Sequence, residues 1–345
     1  MYPEMKYEEI IEKLNKDEYI IIDVRTNKEF RDETIPGSIN MPIFNDEERV
    51  EIGTAYTKES KEVAKTLGIE AVSRRLPSMF KEILELNKQY PHLVFFCSRG
   101  GFRSSSIVSL LRSLKIDAIK LTGGYKAYRN YINDHLEEQI QEINLIILYG
   151  NTGTGKTHIL EELKNLGADV IDLEKCANHR GSTLGSVGLG EPNSQKMFES
   201  LLYDELVRRK SNTIFTEGES KRIGKSVIPD TFFEKMKSGR HVKISCPLDI
   251  RVDNILKDYV HETDDELIEA LNYLRKRMGN DLIDSFIENV KLGNYKEVIS
   301  DLMVKYYDPM YEHHVKNYIF HVENLNPLKT AEILINEFIN KTETF

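Results

Sequence analysis

Residues 93–111 read LVFFCSRGGFRSSSIVSLL. The apolar run Leu93-Val-Phe-Phe96 predicts a buried strand that delivers Cys97 at its C-terminal end. Ser98-Arg99-Gly100-Gly101-Phe102-Arg103 predicts a glycine-containing loop, and Ser104 onward opens an amphipathic helix. A thiol so placed lies among backbone N–H groups at a helix N-terminus, with the Arg99 and Arg103 guanidinium groups nearby. Each of these favours the reactive thiolate. The same cradle suits a tetrahedral oxyanion or a negative charge carried on sulfur. Most free cysteines are small buried hydrophobes, but two arginines and two glycines behind Cys97 favour a functional role.

Outward from this stretch, strands alternate with helices. A short helix is expected over 7–14 and a buried strand over Tyr19–Val24. A turn over Thr34–Asn40 then leads into another short strand. The polar run 45–68 reads as a loop followed by a helix, and a further helix covers roughly 74–88. A strand over Ile116–Leu121 turns at Thr122-Gly123-Gly124 into a helix beginning at Tyr125. Such alternation implies a parallel or mostly parallel sheet.

A second unit begins near Glu142, after a charged passage over 134–142. The strand Ile143–Tyr149 runs into Gly150-Asn-Thr-Gly153-Thr154-Gly155-Lys156-Thr157 and then a helix to Leu166. This satisfies G-x-x-x-x-G-K-[ST] in its required strand–loop–helix setting, so a phosphate site is expected. The backbone N–H groups of Gly150, Gly153, Thr154 and Gly155 would surround the phosphate. Lys156 adds a point charge, and Thr157 could hold Mg²⁺ or a phosphate oxygen. The motif does not distinguish a nucleotide from a diphosphate ester or another phosphate. Further strands are expected at 168–172, 213–217 and 241–246, and after Pro247 the pattern is helical almost throughout.

The C-terminal ends of these strands face the ligand crevice of an open α/β sheet. Asp172, Glu217 and Glu219 stand there as a metal-linked carboxylate or base, or as helix caps. Ser220 and Arg222 follow in the same stretch. His179-Arg180-Gly181-Ser182 combines a ring, a guanidinium and a flexible backbone suited to phosphate or ribose contacts. Cys176 and Cys246 lack a polar cradle and read as packing residues. No Cys/His cluster has metal-ligand spacing, so no dedicated metal site is expected.

The chain has 345 residues, room for two cores, with 40% hydrophobic and 30% charged residues. No apolar run approaches the ~20 residues that span a bilayer. The charged opening MYPEMKYEEIIEKL is unlike a signal peptide. Three scattered cysteines point to a reducing cytoplasm. The net charge of −9 argues against indiscriminate nucleic-acid binding but leaves room for a local basic groove. Arg208-Arg209-Lys210, Lys221-Arg222 with Lys225, and Arg275-Lys276-Arg277 could contribute to one, or be solvated helix faces.

The first half resembles a rhodanese domain in Asp23-Val-Arg25, in Ile35-Pro-Gly-Ser-Ile-Asn40, in the cysteine loop and in Gly123-Gly124-Tyr125. Its loop is C-x-x-G-G-x-R rather than the commoner C-x-x-G-x-R, and that C-x5-R length also resembles rhodanese-like phosphatases. The cysteine loop alone therefore leaves a persulfide carrier and a phosphatase both open. With the P-loop added, the chain resembles the bacterial tRNA 2-selenouridine synthases. The likeness continues through DLEKCANHRGS, PNSQKMFE, EGESKRIG and YYDPMY, covering about residues 19–311.

The resemblance implies an α/β protein: a rhodanese-like parallel-sheet domain over 1–135, then a P-loop NTPase-like α/β domain over 142–250. A helical region over 251–345 would pack on the latter and contact tRNA. The implied activity acts on the wobble uridine of tRNA, in the anticodon region. It is S-geranylation of 2-thiouridine by geranyl diphosphate, then replacement of the geranylthio group by selenium from selenophosphate. Cys97 would carry the chalcogen as a selenyl-sulfide, supported by Arg99, Gly100, Gly101 and Arg103. No tightly bound cofactor is implied. Two other classes stay open: a rhodanese-type sulfurtransferase or phosphatase fused to a nucleotide-dependent kinase or NTPase, and a redox-sensing tRNA-binding module.

Overall fold

The structure, a computed structural model, describes residues 3–14, 18–182, 185–259, 264–311 and 317–341. It comprises two compact units, Met1–Leu136 and Glu137–Phe345.

The first unit is built on five parallel strands: β1 (Glu4–Met5), β2 (Tyr19–Asp23), β3 (Ile39–Asn40), β4 (His92–Phe96) and β5 (Ala118–Leu121). Their order is β1-β5-β4-β2-β3. Leu93, Val94, Phe95 and Phe96 of the central β4 are all fully buried. This is the continuous apolar run that a parallel strand covered on both faces requires. The register pairs Asp23 with Phe96, so the chain leaving β2 emerges beside Cys97.

The stretch 45–89 differs from the expected loop and two separate helices. Asn45 and Glu48 form a capping box that starts a helix at Asp46–Thr54. A π-helical turn at Ala55–Glu59 follows, and one helix of 29 residues then spans Lys61–Gln89. Gly68 and Pro77 do not break it. Ala64, Ala71, Met79 and Ile83 are buried along it. Their burial offsets the ~1 kcal/mol that Gly and the ~3 kcal/mol that Pro cost inside a helix.

The second unit holds another five-stranded parallel sheet: β6 (Asn144–Tyr149), β7 (Asp169–Ile171), β8 (Thr213–Glu217), β11 (Arg240–Ser245) and β12 (Phe320–Glu323). Between β8 and β11 the short strands β9 (Arg222–Ile223) and β10 (Ser226–Val227) form an antiparallel pair. The sheet order is β12-β11-β6-β8-β7. The central β6 has later strands on both sides, and its C-terminal end is where a ligand crevice forms. Helices occupy most of 248–311, but the chain then returns to the sheet as β12, parallel to β11. Four residues at a sheet edge carry too short a pattern to be separated from helix by periodicity. Beyond β12, Ala331, Leu334 and Phe338 join Ile159, Leu160 and Leu163 in one core cluster, covering the helix that follows the P-loop. Among the described residues no helix is long and apolar enough to cross a membrane.

Candidate active site: a cysteine loop and a phosphate-binding loop

Cys97 leaves β4 almost fully buried, with Sγ 3.3 Å from the Ser104 hydroxyl and 3.9 Å from the Gly101 carbonyl. The loop is closed by the residues after β5. The N–H groups of Tyr125 and Lys126 donate to the carbonyls of Cys97 and Ser98 at 2.9 and 3.0 Å. Lys120 Nζ donates to the Gly100 carbonyl at 3.0 Å. Gly124 has φ +60°, and a Cβ there would lie 2.1 Å from the Cys97 carbonyl oxygen. Only glycine permits that approach. Gly100 is held the same way (φ +63°) against Gly123 and Gly124, whereas a Cβ on Gly101 would meet nothing within 4 Å.

The two arginines behave differently. Arg103 donates to both Glu29 oxygens and to Ser98 Oγ, and Ser98 in turn donates to Glu29 at 2.9 Å. Burial works against the Glu29 charge. The Arg103 guanidinium and hydrogen bonds from Thr26 and Ser98 outweigh it and hold that carboxyl down at about 2. Arg99 is exposed and makes no hydrogen bond or ion pair among the described residues.

The remaining motifs of this unit form the floor under the loop. Buried Arg25 grips Asp23 through Nε and Nη2 and donates to the Glu33 carbonyl. Thr34 donates to Asp23, and Asn40 Nδ2 to the carbonyls of Asp23 and Arg25. The Arg25 guanidinium lies 4.2 Å from the centre of the Tyr125 ring. Asp23, Arg25, Asn40 and Tyr125 thus position the loop from beneath.

In the second unit, Gly155 (φ +80°) ends the loop and the helix Lys156–Asn165 begins. Lys156 Nζ donates to the Gly150 carbonyl at 2.9 Å, and buried Thr154 to the Asn151 carbonyl. A Cβ on Gly150 would press on the Ile244 carbonyl, and one on Gly153 (φ +79°) on that of Arg251, both at 2.7 Å. Four distant side chains brace the loop. Arg251 donates to the Thr152 carbonyl, Asn254 to that of Gly153 and Asn324 to that of Thr154. Asp308 accepts from both Arg251 and Asn151. Periodicity marked none of these four. Only Asp308, within YYDPMY, lay in a stretch already singled out.

A pocket opens over this loop. It is lined by Thr152, Gly153, Gly155, Lys156 and Thr157, and by Arg180, Gly181, Ser182 and Glu219, with His158, Glu174, Asn254 and Ile255 completing it. Glu174 was not among the expected residues, yet it accepts from Thr157 Oγ1 at 3.3 Å. A Cβ on Gly181 (φ +62°) would come within 2.5 Å of Glu219 Oε2 and 2.8 Å of Glu174 Oε1. Burial, the Glu219 charge and Asp172 push the Glu174 carboxyl up to about 8 against the pull of Lys156. Burial likewise raises Glu219. Glu217 lies behind, accepting the Glu174 N–H at 2.8 Å, and is driven well up by burial beside Asp172 and Glu174.

Other expected residues have different duties. Asp172 caps the short helix Leu173–Ala177 by accepting the Lys175 N–H, and burial raises its carboxyl. The His179 ring packs on Gly185 and Gly224 and does not line the pocket, and burial lowers its basicity. Ser220, just before β9, donates to the Arg222 carbonyl at its start, and both residues are exposed. Cys176 is buried, and burial raises its thiol well above the ordinary value. Arg208, Arg209, Lys221, Lys225 and Arg275 each pair with a carboxylate, Arg209 from a largely buried position. Among the described residues no group of three or more His, Cys, Asp or Glu side chains is arranged to hold a metal ion.

A cysteine at the end of a parallel strand, in a loop closed by two glycines, joined in one chain to a P-loop unit, defines a rhodanese-type protein fused to a P-loop domain. A rhodanese-like domain profile matches residues 6–131, and the profile described as a tRNA 2-selenouridine synthase AAA domain matches residues 143–323. The tRNA 2-selenouridine synthase of Nitrosomonas europaea is 31% identical over 339 residues, covering 84% of this chain and 88% of that protein. That of Bdellovibrio bacteriovorus is 33% identical over 337 residues, covering 84% and 87%. The N-terminal domain of a putative ATP/GTP binding protein from Clostridium difficile is 41% identical over 37% of this chain and 98% of its own, with a TM-score of 0.36. The chain belongs to the tRNA 2-selenouridine synthase family.

Proposed function

We propose that the protein converts the wobble 2-thiouridine of tRNA to 2-selenouridine in two steps. The thiocarbonyl sulfur first attacks C1 of geranyl diphosphate and expels pyrophosphate, giving the S-geranyl base. The selenium of selenophosphate then attacks C2 and expels geranylthiol, and water cleaves the Se–P bond to release phosphate, with the Cys97 loop holding the selenium donor. Alkylation makes the base sulfur a better leaving group, which gives one protein reason to hold both steps. The observation that carries this reading is the pairing of two separate anion-binding loops, one with a thiol and one with Lys156. Buried Cys97 beside Ser104 supports a chalcogen-handling site kept from bulk solvent, and its free thiol suits a reducing cytoplasm.

The P-loop is assigned to the diphosphate. Mg²⁺, where used, would be held by Thr157, Glu174 and the ligand's own oxygens. That set is hard and oxygen-only, as this ion prefers, and the ion would neutralise the leaving pyrophosphate. Arg180 and Ser182 stand across the same pocket for further phosphate contacts.

Nucleoside mass spectrometry tests the proposal. Cells supplied with selenite should contain 2-selenouridine and geranylthiouridine in tRNA with the protein and neither without it. In vitro, Cys97→Ser should geranylate and fail to selenate, and Lys156→Ala the reverse on pre-geranylated tRNA. Selenation by Cys97→Ser at the wild-type rate would remove Cys97 from the mechanism.

A further inference from the structure

A second cavity adjoins the phosphate pocket, and its chemistry is opposite. Leu267, Val298, Ile299, Leu302 and Met303 make half of its wall. Thr152, Ser182 and Ile255 line both cavities and form the boundary they share. The Met303 methyl lies 2.8 Å from where a Cβ on Gly153 would stand, so the apolar wall touches the phosphate-binding loop itself. The slot runs along the seam between two apolar clusters, one containing Val298 and Leu302 and the other Ile299 and Met303.

We infer that this slot seats the hydrocarbon tail of the diphosphate ester whose phosphates lie at Lys156, so that this domain reads an apolar tail where a nucleotide-binding P-loop protein reads a base. The inference rests on the reading of the P-loop as the diphosphate site. A ligand anchored at Lys156 and passing Thr152 and Ser182 meets only apolar side chains further in, apart from Tyr295 and Tyr307. A purine and ribose would leave donors and acceptors buried without partners there, which is costly. An alkenyl chain has none to satisfy and gains from leaving water.

The slot is narrow, with about 30 Å³ of free space. A thin chain enters it by displacing Met303, whose unbranched thioether adapts readily. The backbone supports such a role. Met303–Tyr307 is a π-helical turn between the helices Tyr295–Leu302 and Asp308–Tyr311. Single π-helical turns are frequent at functional sites. This one supplies Met303 and Tyr307 to the slot and delivers Asp308 to Arg251 and Asn151 at the P-loop.

Calorimetric titration of the full-length protein with pyrophosphate, ATP and geranyl diphosphate tests the inference. Geranyl diphosphate should bind at least about 30-fold more tightly than pyrophosphate, and ATP should show no comparable gain. Leu267→Asn, in the slot and away from the phosphate pocket, should cut the tail's advantage about tenfold while leaving pyrophosphate affinity unchanged. Leu302→Ala should shift preference toward the longer farnesyl diphosphate, and it provides a second reading if Leu267→Asn folds poorly. Equal affinity of the wild type for pyrophosphate and geranyl diphosphate overturns the inference. So does a tail advantage that survives both variants, or a Leu267→Asn loss shared equally by pyrophosphate. Lys156→Ala separates the two levels. If it abolishes pyrophosphate binding while the tail results fail, the P-loop assignment stands and the slot does not; if pyrophosphate binds it normally, both fall.

Discussion

Arg103 donates to both carboxylate oxygens of Glu29, at 2.6 and 3.2 Å. Glu29 is at the same time the third residue of the helix Asn27–Asp32, where it completes a capping box with Thr26. One carboxylate therefore ties the first turn of the helix after Cys97 to the helix after β2. Glu29→Gln keeps the cap's shape but removes the charge that Arg103 needs. We expect a loss of about 2 kcal/mol at pH 7, as for a hydrogen bond to a charged group. The folded carboxyl sits at about 2 against an ordinary 4.5. Its stabilisation is therefore present above about 4.5 and disappears as pH falls toward 2. Urea unfolding at several pH values checks this: the gap between wild type and variant should close on acidification. A gap that stays constant would mean that charge is not the cause.

Gly124 and Gly101 should respond in opposite ways to alanine. At Gly124 a Cβ would meet the Cys97 carbonyl at 2.1 Å with φ at +60°, so Gly124→Ala must open the loop. At Gly101 φ is −89° and the added Cβ touches nothing. Selenation should collapse in the first variant and stay within about threefold of wild type in the second, each with its melting temperature measured alongside. A Gly101→Ala protein as impaired as Gly124→Ala would show that the extra glycine has a role beyond sterics.

The carboxyl of Glu174 is held up at about 8, so near neutral pH it is mostly protonated beside the phosphate site. As pH rises through 8 it ionises and repels an anion at Lys156. In metal-free buffer, pyrophosphate affinity should fall several-fold between pH 7 and about 9. Glu174→Gln should flatten that profile. Isothermal titration across this range decides it, and an unchanged slope in the variant would place the titrating group elsewhere.

Asp308→Asn should loosen the P-loop from behind. It leaves the nearly buried Arg251 without its carboxylate partner, which costs about 3 kcal/mol for a buried pair. Pyrophosphate binding should weaken about tenfold because Arg251 and Asn151 no longer hold Thr152 and its neighbours in place. Thermal melts with and without pyrophosphate report both effects. If stability falls and affinity does not, Asp308 serves the fold alone.

Local chemistry carried most of what could be read from the chain. β4, Cys97, the Gly-rich loops and the P-loop lie within contiguous stretches where apolar runs, glycine and lysine act over a few residues, and these pointed to two parallel-sheet units and two anion-binding loops. The joined helix Lys61–Gln89 was hidden because burial of Ala71, Met79 and Ile83 overrode Gly68 and Pro77. The capping role of Asp172, the withdrawal of His179 from the pocket and the entry of Glu174 into it followed from how separate strands and turns pack. Arg251, Asn254, Asp308 and Asn324 reach the P-loop from about 100 to 170 residues away, a distance at which no pattern of neighbours carries information. The apolar slot has the same origin. Leu267, Val298 and Met303 look like any helical core until three-dimensional packing leaves a gap among them beside Thr152.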